Sequence, residues 1–419
     1  MKKLVTGAFA LLSASFIYAQ STNSSNTVSQ DGNNNSATVS QKGLEQINES
    51  TQTGTLNSVN VTQKHQYNEA ATVQNGLGNN ATVVQGIAWA NKNYVTQNQD
   101  GILNNASATQ DKTYMNEINQ EQDGMLNEAT ASQSEGSRMY IDQIQNGMGN
   151  SATASQVGDS SPASLSADAN DIYQWQDGLF NSASASQSGW KNDLDQIQDG
   201  NFNSANSSQT GYFNIANQSQ TGNLNDADVM QEGDENSSMQ TQAGNNNDAE
   251  VLQDGNNNMA TQTQTGNGND AYLSQVGDMN SGTQIQSGNN NDATGEQQGN
   301  SNMLSSTQTG NGNAAYASQV GNSNSAMQIQ TGNNNNASGY QLGNGNSLSS
   351  SQIGNGNMAY VSQDGDSNQS SSVQTGNNND AWAYQTGLSN QSTLIQTGNG
   401  NYHMGTQTGN GNSITVTQN

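Results

Sequence analysis

From Gln242 to Gln418 the chain alternates regular small or polar positions with variable ones over short runs, and Gly/Asn clusters interrupt the runs at a fixed interval. A glutamine closes each run, at Gln242, Gln253, Gln264, Gln275 and Gln286 and on through Gln396, Gln407 and Gln418, one every eleven residues. The shared frame is Q-x-G-x-x-N-x-A-x-x-x-Q, as in QDGNNNMATQTQ (Gln253 to Gln264), QVGNSNSAMQIQ (Gln319 to Gln330) and QIGNGNMAYVSQ (Gln352 to Gln363). A short fixed period is the mark of a solenoid or array.

With the Gln as position one, positions one to five carry Gly and Asn, residues that accept positive φ cheaply and build turns. The turn glycines of the central repeats are Gly244, Gly255, Gly266, Gly277 and Gly288. Positions six to twelve hold no proline and favour Thr, Ser, Val, Tyr and Ile, which predicts a strand. One unit is a turn plus a strand, and two units, 22 residues, make one coil of two strands. The expected fold is all-β: a β-solenoid of stacked two-stranded coils with amyloid-like cross-β order.

Strand side chains alternate between faces. The regular positions six, eight, ten and twelve form the expected interior, and the variable seven, nine and eleven form the exterior. Folding one strand over the next puts position ten opposite position eight of the following strand. That register pairs Gly282 with Leu273, Gly295 with Leu304, Gly339 with Leu348 and Gly405 with Ile414. It also sets Gln240, Gln262 and Gln284 opposite Ala249, Ala271 and Ala293. Compensation of volume across a core is what close packing demands.

This register buries the amides of Gln242, Asn247, Gln253, Asn258, Gln264, Asn269, Gln275, Asn280, Gln286, Asn291 and Gln297. A buried amide is costly unless hydrogen-bonded. Identical amides stacked at about 4.8 Å bond to one another as a structural ladder. A composition so rich in Gln, Asn, Ser and Gly also suits a disordered, prion-like tract. The unbroken register over the 22 intervals from Gln176 to Gln418 argues for order.

The frame, paired into 22-residue coils from Gln30 to Gln418, resembles the curlin repeat of curli fibre subunits. The resemblance is to the family, with many more coils than familiar members of enteric bacteria carry. It implies an extracellular functional amyloid of the biofilm matrix that mediates adhesion and cell aggregation. It further implies export through a dedicated outer-membrane pore and seeding by a nucleating minor curlin.

Met1 to Ala19 reads as a secretory signal peptide: Lys2 and Lys3, a mostly apolar run from Leu4 to Tyr18, and a cleavage site before Gln20. Gln20 to Ser29 is a short polar segment, by family resemblance an export signal and otherwise an unstructured end. The repeat solenoid is expected over 30–419. The net charge of −26 becomes −28 once Lys2 and Lys3 are removed, which excludes nucleic acid and anionic membrane surfaces as electrostatic partners. Copies repel, so self-assembly works against charge that salt or acid relieves. With no cysteine, no disulfide framework holds the fold.

The period loosens between Gln85 and Gln99 and between Gln156 and Gln176, the latter holding Pro162, the single proline. Insertions inside a strand would turn its faces inside out, so they are expected in turns, as flaws in one continuous stack. The count is 35 units, about 17 coils and a rod of roughly 80 Å. No terminal cap is read, and Ser413 to Gln418 is strongly β-prone. The expected mechanism is head-to-tail homopolymerisation through open strand edges.

No catalytic, cofactor or metal site is assigned. His65 and His403 lie far apart in sequence, His403 replacing an inner Ala, and Gly266-Asn267-Gly268 is a turn with no helix after it. Asp226, Asp248, Asp270 and Asp292 recur 22 apart at an outward position. They suit either a calcium-bridged column or solvated charge that limits aggregation. Tyr272, Tyr316, Tyr360 and Trp382 share an outward stripe, suited to glycans, to bundling, or simply to strand propensity. Rival readings are a monomeric surface adhesin and an ice-binding solenoid, although Thr261-x-Thr263 and Thr415-x-Thr417 build no regular Thr array.

Overall fold

In the computed structural model the described residues are 14–88, 90–158 and 169–419, and their regular structure is entirely β-strand. The chain divides into two compact units, Met1–Lys191 and Asn192–Asn419. Apart from the two-residue strands Ala90–Asn91 and Thr113–Tyr114, each strand within a unit pairs in parallel with the next but one, so that alternate strands build two sheets. In the second unit Ser237–Asn245 pairs with Met259–Asn267, and Asp248–Asp254 with Asp270–Val276, each residue facing its counterpart 22 further on. Eleven strands stack into one sheet of this unit and ten into the other. This is a β-solenoid.

The alternation of buried and exposed residues sets the faces. In Asp248–Asp254 the buried residues are Ala249, Val251 and Gln253, positions eight, ten and twelve, while the odd positions face out. The strands begin at position seven, one residue later than the sequence frame suggests. Asn247, at position six, is fully buried but sits in the turn that precedes the strand. The turn glycine is required on two counts. Gly244 has φ +132°, and a Cβ there would strike the carbonyl of Gly266 in the next coil.

The first unit follows the same plan with less regular spacing. Gln74 faces Gln99, Gln99 faces Gln122, and Gln145 faces Gln176, separations of 25, 23 and 31 residues. Glutamine still meets glutamine, because the extra residues lie between strands. Two inserted turns even pair with each other, Thr113–Tyr114 alongside Ala90–Asn91. Pro162 lies outside the described residues.

The repeat also starts earlier than Gln30. Ser25–Asn33 is a strand paired with Ile47–Thr55, so the polar segment over 20–29 is not an unstructured end throughout. The strand of a unit precedes its closing glutamine, and a frame counted forward from Gln30 omits it. Most of the leader expected over 1–19 lies outside the described residues. From Ala14 on, the backbone forms the strand Ala14–Thr22, paired with Ser36–Leu44.

Candidate functional site

The chemistry of the second unit is concentrated in its buried amides and in its last coil. Position-twelve glutamines form two columns. In one, each Nε2 donates to the Oε1 of the next coil from Gln242 through Gln264, Gln286 and Gln308 to Gln418, at 2.9–3.0 Å. The other runs through Gln253, Gln275, Gln297 and Gln319 to Gln407 at 2.8–2.9 Å. The second amide hydrogen goes elsewhere: Gln264 donates to the Asp248 carbonyl at 2.6 Å and Gln253 to the Ser237 carbonyl at 3.1 Å. Each glutamine therefore joins successive coils and also ties one sheet to the other.

The position-six asparagines bond in the opposite sense. Asn269 Nδ2 donates back to Asn247 Oδ1 at 3.1 Å, Asn291 to Asn269 at 3.0 Å, and Asn258 to Asn236 at 3.1 Å. The same oxygens accept main-chain bonds, as Asn247 Oδ1 does from Asn269 N at 3.1 Å. The remaining hydrogens clamp turn carbonyls: Asn247 to Gly266 at 3.0 Å, Asn258 to Gly277 at 2.8 Å, and Asn280 to Gly299 at 2.8 Å. Gly244, Gly255, Gly266, Gly277 and Gly288 all have φ between +111° and +132° and lie in these clamped turns.

Core volumes match across the sheets. A Cβ on Gly282 would meet the Leu273 methyls, one on Gly339 would meet Leu348, and Gly295 lies between Leu273 and Leu304. Gly405 faces Ile414 as expected but has a nearer neighbour as well. The ring of His403 in its own strand is nearest at 3.1 Å, with Ile414 behind it at 3.8 Å. Opposite the position-ten glutamines, the small alanines have a second purpose. Gln240, Gln262 and Gln284 reach past them to the carbonyls of Ala249, Ala271 and Ala293 at 2.8–2.9 Å.

Two features mark the outward face. Asp226, Asp248, Asp270 and Asp292 stand in register on adjacent strands. Desolvation pushes the Asp248 carboxyl up to about 6, aided by the charges of Asp270, Asp226, Asp228 and Glu250; Asp226 and Asp270 are raised as well. Further along the same sheet Tyr316, Tyr340, Tyr360, Trp382 and Tyr384 touch in sequence, with ring centroids 5.0–6.4 Å apart. Of the stripe expected from the sequence, Tyr272, Tyr316, Tyr360 and Trp382, the touching row takes in the last three and adds Tyr340 and Tyr384. They lie two residues further along their strands and close the gaps diagonally.

In the first unit His65 takes the place of a turn glycine, with φ +75°, and lines a shallow groove with Lys42, Lys64 and Ile87. His403 is half-buried in the last coil of the second unit. That coil consists of Tyr402–Thr408, paired with Asp380–Thr386, and Ser413–Gln418, paired with Gln391–Asn399. No described strand pairs with the outer edge of either. Parallel strands turn the main-chain groups of alternate residues to alternate neighbours. Because Gln391 N and Asp380 N donate forward to Asn412 O and Asn401 O, the groups of Thr415 and Met404 face the open edge.

No curated protein sequence matches this chain. A family model, the curlin associated repeat, matches residues 222–255 and again 244–277, two placements one 22-residue coil apart. Both the repeat and the solenoid fold are structural in kind. The matched coils carry the same glutamine columns, asparagine clamps and glycine turns as their neighbours, so the curlin associated repeat matched over 222–277 lies within a longer run of the same coil.

Proposed function

We propose that this protein is a secreted structural subunit that polymerises end to end into curli-like fibres outside the cell, where they support adhesion and cell aggregation in a biofilm matrix. The observation that carries the reading is the junction between successive coils. Each one repeats the same in-register strand pairing and the same core amide bonds, as where Gln396 donates to Gln418 and Gln385 to Gln407. An open edge with an ordered core beneath it is a template for another strand.

The opposed columns give each junction a chemical code. Glutamine amides donate to the next coil, as Gln396 does to Gln418, and asparagine side-chain oxygens accept from it, as Asn379 does from Asn401. An incoming coil fits when it offers glutamine acceptors and asparagine donors in the same places, which another copy of this repeat does. By family resemblance the partners are further copies, a nucleating minor subunit and an outer-membrane export pore.

The test is seeded growth, followed by thioflavin fluorescence and electron microscopy, of protein released from denaturant. The wild type is expected to extend seeds into unbranched fibrils. A Met404→Pro, Thr415→Pro double variant loses only edge-facing N–H groups and should fold, add to growing ends and stop them at substoichiometric amounts. A β-rich wild-type monomer that forms no fibrils over days would overturn the proposal in favour of a monomeric adhesin or ice binder.

A further inference from the structure

The aromatic residues on the outer face of the second unit form a connected row rather than scattered surface side chains. Tyr316 and Tyr340 have ring centroids 5.1 Å apart, Tyr340 and Tyr360 5.5 Å, and Tyr360 and Tyr384 5.4 Å, each pair tilted by about 40°. Trp382 stacks on Tyr360 at 5.0 Å and lies 6.4 Å from Tyr384. The strands that carry them are adjacent and in register, so every tyrosine contact joins two successive coils. Tyr340 is 40% exposed and the others are half-buried, within reach of a small solute.

Both ends of the row are hydrogen-bonded to carboxylates. The Tyr316 hydroxyl donates to Glu296 Oε2 at 2.9 Å, and the Trp382 indole N–H donates to Asp380 Oδ1. Phenols and indoles lose an electron far more readily when a base takes the proton at the same moment. Here the bases are in place. Burial, with the Glu296 bond behind it, pushes the Tyr316 phenol up to about 12, so simple ionisation near neutral pH does not compete.

The geometry points to this row as an oxidative cross-linking site, at which a one-electron oxidant joins successive coils through dityrosine bonds. Two oxidant equivalents each take one electron. One tyrosine of a touching pair breaks its O–H bond and passes the proton to a base, Glu296 in the case of Tyr316. Its neighbour passes its proton to solvent. The two neutral phenoxyl radicals form one carbon–carbon bond between ring positions next to the oxygens, and the hydrogens on those carbons move to the oxygens to restore both phenols. The net change is the loss of two hydrogen atoms per bond. When hydrogen peroxide is the terminal oxidant, its O–O bond is cleaved and, with the two hydrogen atoms lost, two waters form. Oxidised Trp382, its proton held by Asp380, draws its electron from Tyr360 or Tyr384 and so hands the radical to the row. Each tyrosine couples once, which favours Tyr316–Tyr340 together with Tyr360–Tyr384.

The property depends on the folded coil and not on polymerisation, so it can be tested on the soluble chain or on fibres. Dilute protein is illuminated with a small ruthenium photo-oxidant and persulfate, natively and in denaturant. Blue dityrosine fluorescence is recorded, and the linked peptides are identified by tandem mass spectrometry after pepsin digestion. Native protein is expected to give intrachain Tyr316–Tyr340 and Tyr360–Tyr384 bonds several-fold above their level in denaturant. Tyr340→Phe, a conservative change at an exposed position, should remove every bond that involves position 340 and leave Tyr360–Tyr384. Glu296→Gln should slow the first bond and spare the second. If linkages in the native chain are absent from this row, or are distributed as in denaturant, the assignment is overturned.

Discussion

Each buried amide of the core does more than one job, and that decides what its loss costs. Gln264 accepts from Gln242, donates to Gln286, and donates to the Asp248 carbonyl. Gln264→Ala would leave one Gln242 amide hydrogen and the Gln286 Oε1 unpaired in a dry interior and remove a second bond from the Asp248 carbonyl, at a cost of about 1–3 kcal/mol for each unpaired group. The serines behave in the reverse way. Ser350 and Ser372 stand opposite each other in register, both buried and both without a partner for the hydroxyl. Ser372→Ala removes a desolvated hydroxyl that makes no bond, so thermal melts should show unchanged or raised stability, by up to about 1 kcal/mol. A clear loss would mean that the hydroxyl is bonded. The glutamine columns could be read from spacing alone, because identical residues recur once per coil. The bond from Gln264 to the Asp248 carbonyl could not, since a main-chain acceptor leaves no trace in a sequence. The period puts Asn247 on the inner face, but its clamp on Gly266 depends on its lying in the turn.

At the scale of the strand and turn, the coil closes through a row of glycines whose carbonyls and α-carbons stack directly. Gly266 has φ +120°, and its added Cβ would meet the Gly288 carbonyl. Gly266→Ala combines an unfavourable backbone with a direct clash, worth about 3 kcal/mol or more. In a solenoid, stability is nearly a sum of nearest-neighbour terms, so such a defect weakens one junction and leaves distant coils alone. Hydrogen exchange should therefore show faster exchange in Met259–Asn267 and Ser281–Asn289, with the strands beyond Gln369 unchanged. Uniform loss of protection along the unit would show that it unfolds as one body. Strand order and facing were legible from the eleven-residue period, and the turn glycines from their place in the frame. The start of the repeat is not legible in the same way, because the strand Ser25–Asn33 begins ahead of Gln30, the first in-frame glutamine, and no glycine turn precedes it.

At the scale of the molecule, acidity acts in two ways that can be separated. The net charge of −26 opposes contact between copies, and both salt and acid reduce that repulsion. The aspartate column acts within one copy. Asp248 is flanked by Asp226 and Asp270 in its own row and by Asp228 and Glu250 beside it, and desolvation with these charges raises its folded value to about 6. An acid whose folded value lies above its unfolded one binds its proton more tightly in the folded state. The stabilisation is complete below the ordinary carboxylate range, near pH 4, and is lost as pH rises through the raised value. Melting temperature should thus climb as pH falls from about 7 to about 4. Asp248→Asn removes the charge but keeps the shape. It should raise the melting temperature near pH 7, flatten its dependence on acid, and leave it almost unchanged near pH 4. Its effect on fibre growth should be small, because one charge of so many hardly alters repulsion between copies, and added salt should still accelerate growth in the variant. If the variant instead abolished the response of growth to both salt and acid, the column itself would be the barrier to assembly, and net charge would not.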